Sequence, residues 1–143
     1  MRVNRSALVP FSALQMFYLV DEIESYSQFL PWCKSTKIID RQESEVTASI
    51  DIAKAGLNKT FTTRNFNSPG KEIKMTLVDG PFKQLDGAWV FESLNETACK
   101  VNLNIEFEFS NKLMDISLGP IFGHICNSLV DSFVKRAKEI HGK

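Results

Sequence analysis

The spacing of apolar residues changes period twice along this chain. From Arg2 to Val9 apolar and polar positions alternate loosely up to Pro10, which predicts a strand. Ser12 stands three residues before Gln15, the capping-box pattern in which each side chain satisfies an orphan backbone N–H at a helix start. Ala13, Met16, Phe17 and Val20 follow at helical spacing and predict a short helix to about Asp21. A second short helical piece, Ser25 to Leu30, is expected to stop before Pro31. From Trp32 onward the period falls to two. Val46, Ala48, Ile50 and Ile52 alternate with polar or small residues, and so do Ile73, Met75 and Leu77. The longest such run is Cys99, Val101, Leu103, Ile105, Phe107 and Phe109, with Lys100, Asn102, Asn104, Glu106 and Glu108 between them. Such a strand is apolar on one face and wet on the other, and its length predicts a strong bend or twist.

Turn chemistry separates these runs. Ser68-Pro69-Gly70-Lys71 places Pro and Gly where a type II turn wants them, and Ala55-Gly56, Asp79-Gly80-Pro81 and Leu94-Asn95-Glu96 mark further turns. Short links make antiparallel neighbours, so strands two to seven are expected to form a meander. Helical spacing returns with Phe122, Ile125, Cys126, Leu129, Phe133, Ala137 and Ile140 in one stripe; Asn127, Asp131, Lys135 and Lys138 lie opposite. Gly119-Pro120 divides this segment into an expected leading turn or helix, Asn111 to Leu118, and a main helix from Pro120. The pattern predicts an α+β fold, a curved antiparallel sheet of about seven strands around a long C-terminal helix, as one domain over 1–143.

Seventeen basic and seventeen acidic residues cancel, so no global field steers the chain onto nucleic acid or an anionic membrane; any such partner must be met by a local patch. Arg2 and Arg5 precede an apolar stretch, but Pro10, Ser12 and Gln15 interrupt it and Asp21, Glu22 and Glu24 replace a cleavage site, so a signal peptide is rejected. No later run approaches the length of a membrane span. Cys33, Cys99 and Cys126 form no CxxC pair and no metal spacing, as expected of reduced, buried thiols in a cytoplasmic protein. The sequons at Asn4, Asn58 and Asn95 are then chance matches.

Little in the sequence resembles a catalytic centre. His124 and His141, the latter in a tail expected to fray, have no partner at a spacing that makes a nucleophile–base pair or a metal site. Glu106 and Glu108 share a strand face, but it is the solvated one, where carboxylates lack the burial that separates their pKa values. Asp79-Gly80-Pro81 reads as a turn. The aromatic content is more informative. Phe29, Trp32, Phe61, Phe82, Trp89 and Phe91 fall on faces predicted to point inward, as do Phe107, Phe109, Phe122 and Phe133. That set fits a filled core and a ligand cavity equally well.

Two segments carry a family resemblance. Tyr26-Ser27-Gln28-Phe29-Leu30-Pro31-Trp32-Cys33 resembles the "YPxFLPWC" segment of the coenzyme-Q-binding, START-like (polyketide cyclase/dehydrase) family, with Ser27 where that family usually has Pro. Leu77 to Phe91 is similar to its "LxdGPFxxLxGxWxF" signature. Arg5, Val9-Pro10, Phe107-Glu108-Phe109 and the closing helix fall in the family's order. Ser49 to Asn65 is especially similar to the "KAGxxKTFTTRN" hairpin of a bacterial branch of ribosome-associating toxins. The resemblance implies a helix-grip fold (START-like, Bet v 1-like) with a cavity between sheet and helix. Expected cavity residues are Phe29, Leu30, Trp32, Phe61, Met75, Leu77 and Phe82. From the second half of the chain come Trp89, Phe91, Phe107, Phe122, Ile125, Leu129 and Phe133.

Two functions follow from the resemblance. The bacterial branch is described as binding the large ribosomal subunit and blocking subunit association, which inhibits translation. Mitochondrial relatives are described as binding ubiquinone and supporting respiration. The first needs a surface that meets RNA phosphates: Lys54, Lys59 and Arg64 gather on one hairpin with only Asp51 to oppose them, and Lys135, Arg136, Lys138 and Lys143 crowd the C-terminus. The second needs an apolar space for ubiquinone or another isoprenoid lipid, whose tail gains about 0.8 kcal/mol per buried CH₂. No catalytic residue, metal, required cofactor, DNA partner or membrane span is expected. A cyclase-like enzyme rests on the superfamily name alone.

Overall fold

In the computed structural model, which describes residues 1–142, seven strands form one antiparallel sheet and two helices pack on its concave side. Strand β1 (Arg2–Val9) leads through Pro10 to α1 (Ala13–Asp21). The capping box is present: Gln15 N donates to Ser12 Oγ at 3.0 Å, and Ser12 N donates to Gln15 Oε1 at 2.9 Å. Next comes a 3₁₀ helix, Ile23–Gln28, in place of the expected helical piece from Ser25 to Leu30. It cannot lengthen, because Leu30 precedes Pro31 and the proline ring disfavours helical geometry there.

Strands β2 (Cys33–Arg41), β3 (Glu45–Lys54), β4 (Leu57–Ser68), β5 (Glu72–Asp79), β6 (Phe82–Asn95) and β7 (Ala98–Phe109) form the expected meander. The sheet order is β1-β7-β6-β5-β4-β3-β2, so the first strand returns to pair with the last. Lys71 N donates to Ser68 O at 2.9 Å and Gly70 has φ +72°, as a type II turn between β4 and β5 requires. Inward positions run in register across strands, with Trp89 opposite Leu103, Gly87 opposite Ile105 and Leu85 opposite Phe107. At Gly87 a Cβ would stand 2.3 Å from Asn104 O, so only glycine permits this close crossing of β6 and β7.

Helix α2 runs unbroken from Lys112 to His141. The sequence divided it at Gly119-Pro120; the structure does not. Asn111 Oδ1 accepts from Met114 N at 2.7 Å and starts the helix before the proline. Pro120 is exposed, one turn after exposed Ile116, so the carbonyl that loses its partner lies on the wet side. On the other side Phe122, Ile125, Cys126, Val130, Phe133 and Ala137 are buried against the sheet, and their packing outweighs the local break. The stripe ends at Ala137, since Ile140 is 46% exposed. The last turn remains helical and His141 stands 6.0 Å from the Phe11 ring, where fraying was expected. Length and composition would suit a membrane span, but the apolar stripe of α2 is the core of this fold.

The candidate ligand cavity and the charged surface

The gap between sheet and α2 is partly filled and partly hollow. Phe82 stacks on Phe109 at 4.6 Å between centroids, and Phe122 meets Phe107 edge-on at 4.7 Å. Farther along α2, Phe133 takes edges from Tyr26, Phe29 and Trp89 at 5.2–5.4 Å. Between these two aromatic groups lies a cavity of about 80 Å³.

Eight residues expected in the cavity line it: Trp32, Phe61, Met75, Trp89, Phe122, Ile125, Leu129 and Phe133. The other six do not. Phe82 and Phe107 belong to the solid aromatic group, and Phe91 packs edge-on against Phe17 at 5.9 Å. Leu30 is buried outside the lining, Leu77 is half-buried, and Phe29 lies under the Arg136 guanidinium at 5.1 Å. Inward parity therefore identifies the right face but not which part of it is vacant.

The lining also includes residues that the sequence reading left out. Ile23 and Tyr26 come from the 3₁₀ helix, and Ala48, Ile50 and Ile52 from β3. Leu85, Asp86 and Gly87 come from β6, Ile105 from β7 and Cys126 from α2. Thr63 and Asn65 of β4 matter most, because they are polar and nine-tenths buried. They alternate with Phe61, so period two would have found them had polar residues been admitted to the inner face. Thr63 Oγ1 donates to Asn65 Oδ1 at 3.0 Å. Next along this face, Asn67 donates from Nδ2 to Asp21 Oδ1 at 2.8 Å.

Two polar atoms on or near the wall differ in how they are satisfied. The Tyr26 hydroxyl donates to Val20 O, and burial holds its pKa above the ordinary tyrosine range. Trp32 is 6% exposed and its Nε1 is buried with no hydrogen-bond partner among the described residues. Cys126 is pushed up to about 12 by burial, which keeps it a neutral thiol. Burial and the Asp51 charge push Cys33 up to about 11.

The proposed RNA-contact residues do not gather as one patch. Lys59 pairs in register with inward-facing Ile52 and is exposed at the lip of the concave face, near Lys54 at the end of β3. Arg64 pairs with Thr47 on the opposite, convex face and its Nε bridges Glu45 at 3.2 Å. Asp51 also faces outward, where hydrogen bonds from Ser35 and Thr60 hold its carboxyl below the usual range. At the other end of the chain Arg136 is engaged, donating to Gln28 Oε1 at 3.0 Å; Lys135 and Lys138 are exposed and Lys143 lies outside the described residues.

Glu106 and Glu108 sit on the convex face, bridged to Arg2 at 3.4 Å and Lys83 at 3.6 Å. Among the described residues no three His, Cys, Asp or Glu side chains converge as a metal site.

Comparison with known proteins places this geometry. A family model described as polyketide cyclase / dehydrase and lipid transport matches residues 9–134. The chain is 49% identical to ribosome association toxin RatA of Vibrio cholerae, covering 99% of both chains, and 44% identical to RatA of Escherichia coli, covering 98% of this chain and 89% of that one. It is 23% identical to the mitochondrial coenzyme Q-binding protein COQ10 homolog B of Xenopus laevis, covering 98% of this chain and 59% of that one. Among solved structures, TTHA0849 from Thermus thermophilus superposes with a TM-score of 0.80 at 16% identity, covering 97% and 95%, which bears on the fold alone.

Proposed function

We propose, because this chain belongs to the polyketide cyclase / dehydrase and lipid transport family, that it is a non-enzymatic, RatA-like protein that binds the large ribosomal subunit and blocks subunit association. The observation that carries this reading is the 49% identity with a protein named for ribosome association, over 99% of both chains. The exposed Lys59 and neighbouring Lys54 at the β3–β4 tip supply charge for RNA phosphates, whereas Arg64 is already spent on Glu45.

The test is co-sedimentation of the purified protein with isolated large subunits over a salt series, with small-subunit joining measured in parallel. Binding should weaken with salt, by a slope of up to about 0.9 per phosphate contact. Reversing Lys54 and Lys59 to Glu should flatten that slope by about 1–2 contacts, and Arg64→Glu should change it less. Salt-independent binding, or normal small-subunit joining at saturating protein, defeats the reading.

A second reading is favoured by the cavity itself: an apolar ligand such as ubiquinone or another isoprenoid lipid held between sheet and α2, in a carrier role. The COQ10 relative supports it. About 80 Å³ is far below the roughly 300–1,000 Å³ of ordinary ligand pockets, so a long tail needs α2 to separate from the sheet. Solvent extraction of protein purified from its native host, read by mass spectrometry, decides it; repeated preparations without quinone or lipid discard it.

A further inference from the structure

We infer that the apex of the β3–β4 hairpin is the element that lies against ribosomal RNA. Its bare Ala55-Gly56 backbone meets the ribose–phosphate chain, and the Lys54 and Lys59 ammonium groups meet neighbouring phosphates. The inference rests on the ribosome-binding reading and deepens it by naming the contacting element and the chemistry it recognises.

Backbone strain marks the apex. Two residues join β3 to β4, since Lys54 pairs with Leu57 across the ladder. Ala55 has φ +48° and Gly56 has φ +91°, the pair of left-handed conformations that a type I′ turn demands. Such a turn favours Asn-Gly, because asparagine tolerates the left-handed region and alanine is strained there. Among the described residues Ala55 alone has a positive φ without being glycine. It is also exposed, so packing does not require it. A strained residue at an exposed tip points to a role that the unstrained one would impair.

Shape is what this choice preserves. Ala55 and Gly56 are both exposed, and a Cβ at Gly56 would meet nothing within 4 Å. The apex therefore carries a single methyl group. Its backbone can approach a surface more closely than a turn headed by asparagine. Beneath it Leu57 is buried, and Ala53 N donates to Trp32 O at 2.9 Å, which ties the base of the hairpin to the fold.

Charge identifies the partner. Lys54 and Lys59 pair in register with Leu57 and Ile52, which are both buried. The two lysines thus leave one face of the hairpin as diagonal cross-strand neighbours, roughly 7–8 Å apart at Cα. Neither is in an ion pair among the described residues, whereas Arg64 of the same hairpin bridges Glu45. Asp51, the acid nearest the apex in these two strands, faces the other way and accepts from Ser35 and Thr60. Two unpaired cations beside a bare backbone suit a polyanion whose charges repeat along a chain. Neither Ala55 nor Gly56 can read a base edge, so the contact follows the shape of the RNA backbone and is indifferent to sequence.

The test is co-sedimentation of the full chain with isolated large subunits over a salt series, read beside thermal melting of each variant. Ala55→Asn should melt above the parent and yet bind more weakly. A purely structural role would move both the same way. Ala55→Leu should bind about tenfold more weakly, because its added carbons hold the backbone off the RNA. Lys54→Gln and Lys59→Gln should each flatten the salt slope by about 0.7–0.9. Apex variants that bind as tightly as a binding parent overturn the inference and leave the ribosome reading standing; a parent that does not bind brings down both. An Ala55→Asn protein that melts below the parent overturns the strain argument and the inference with it. Weaker binding by the apex variants, with the parent's slope kept by both lysine variants, makes the partner a ribosomal protein and overturns the assignment to RNA.

Discussion

Phe82, Phe107, Phe109 and Phe122 meet ring to ring at one end of the sheet–helix interface, whereas Trp32, Ala48, Thr63, Asn65 and Met75 enclose space beside them. Both regions come from the same alternation, on the same face of the same sheet, under the same helix. The difference lies in side-chain volume and polarity. Four phenylalanines converge on one spot and fill it. Next to them Ala48 is short, Gly87 has no side chain, and Thr63 and Asn65 cannot pack as hydrocarbon does. Phe122 belongs to both regions, so the solid part props α2 at the height that leaves the other part hollow. The lesson is that inward parity assigns a face, while volume decides whether that face is core or pocket.

The sharpest way to break this contrast is to hollow out the solid region. Phe107→Ala should lower unfolding stability by about 3–5 kcal/mol, because the residue is fully buried among rings that cannot collapse freely. Urea unfolding at constant m-value checks it, and a loss below about 1 kcal/mol would mean the region is not packed as described. A further check asks whether the hollow region is dry. The Cys126 thiol on its wall ordinarily titrates near 9.0 and is pushed up to about 12 here. An unfolded chain therefore loses that proton from about pH 9 while the folded chain keeps it. Stability from this group is whole below pH 9 and drains away as pH rises toward 12. Cys126→Ala should make the alkaline loss shallower, with Tyr26 and the other buried thiols supplying the remainder. Identical pH profiles for variant and parent would show a wet cavity. The smallest effect belongs to filling the hollow: Ala48→Val should shift stability by less than about 1 kcal/mol, since it adds methyl groups where there is room. A loss of several kcal/mol would show that no such room exists.

Much of the fold was legible before any coordinate. The Ser12/Gln15 box, the Pro69-Gly70 turn and the eleven-residue alternation ending at Phe109 each specify local geometry through chemistry that neighbours in sequence share. Where the reading went astray, distant contacts had overruled a local signal. Gly119-Pro120 reads as a break, yet α2 continues because its buried face is fixed by the sheet. Lys54, Lys59 and Arg64 read as one patch, yet strand parity sends Arg64 to the opposite face, where it finds Glu45. Thr63 and Asn65 were left out of the expected cavity set, which held only apolar residues, yet they line the cavity.

The sequence by itself determined the strand meander, the closing helix and the set of residues that share the concave face, because side-chain period and turn chemistry are local properties of a chain. Only the tertiary structure decided that six of the expected cavity residues lie outside the hollow and that the buried Trp32 indole N–H has no partner among the described residues. Vacant volume and an unmet hydrogen bond are properties of what is missing between residues far apart in sequence, and no local pattern encodes them.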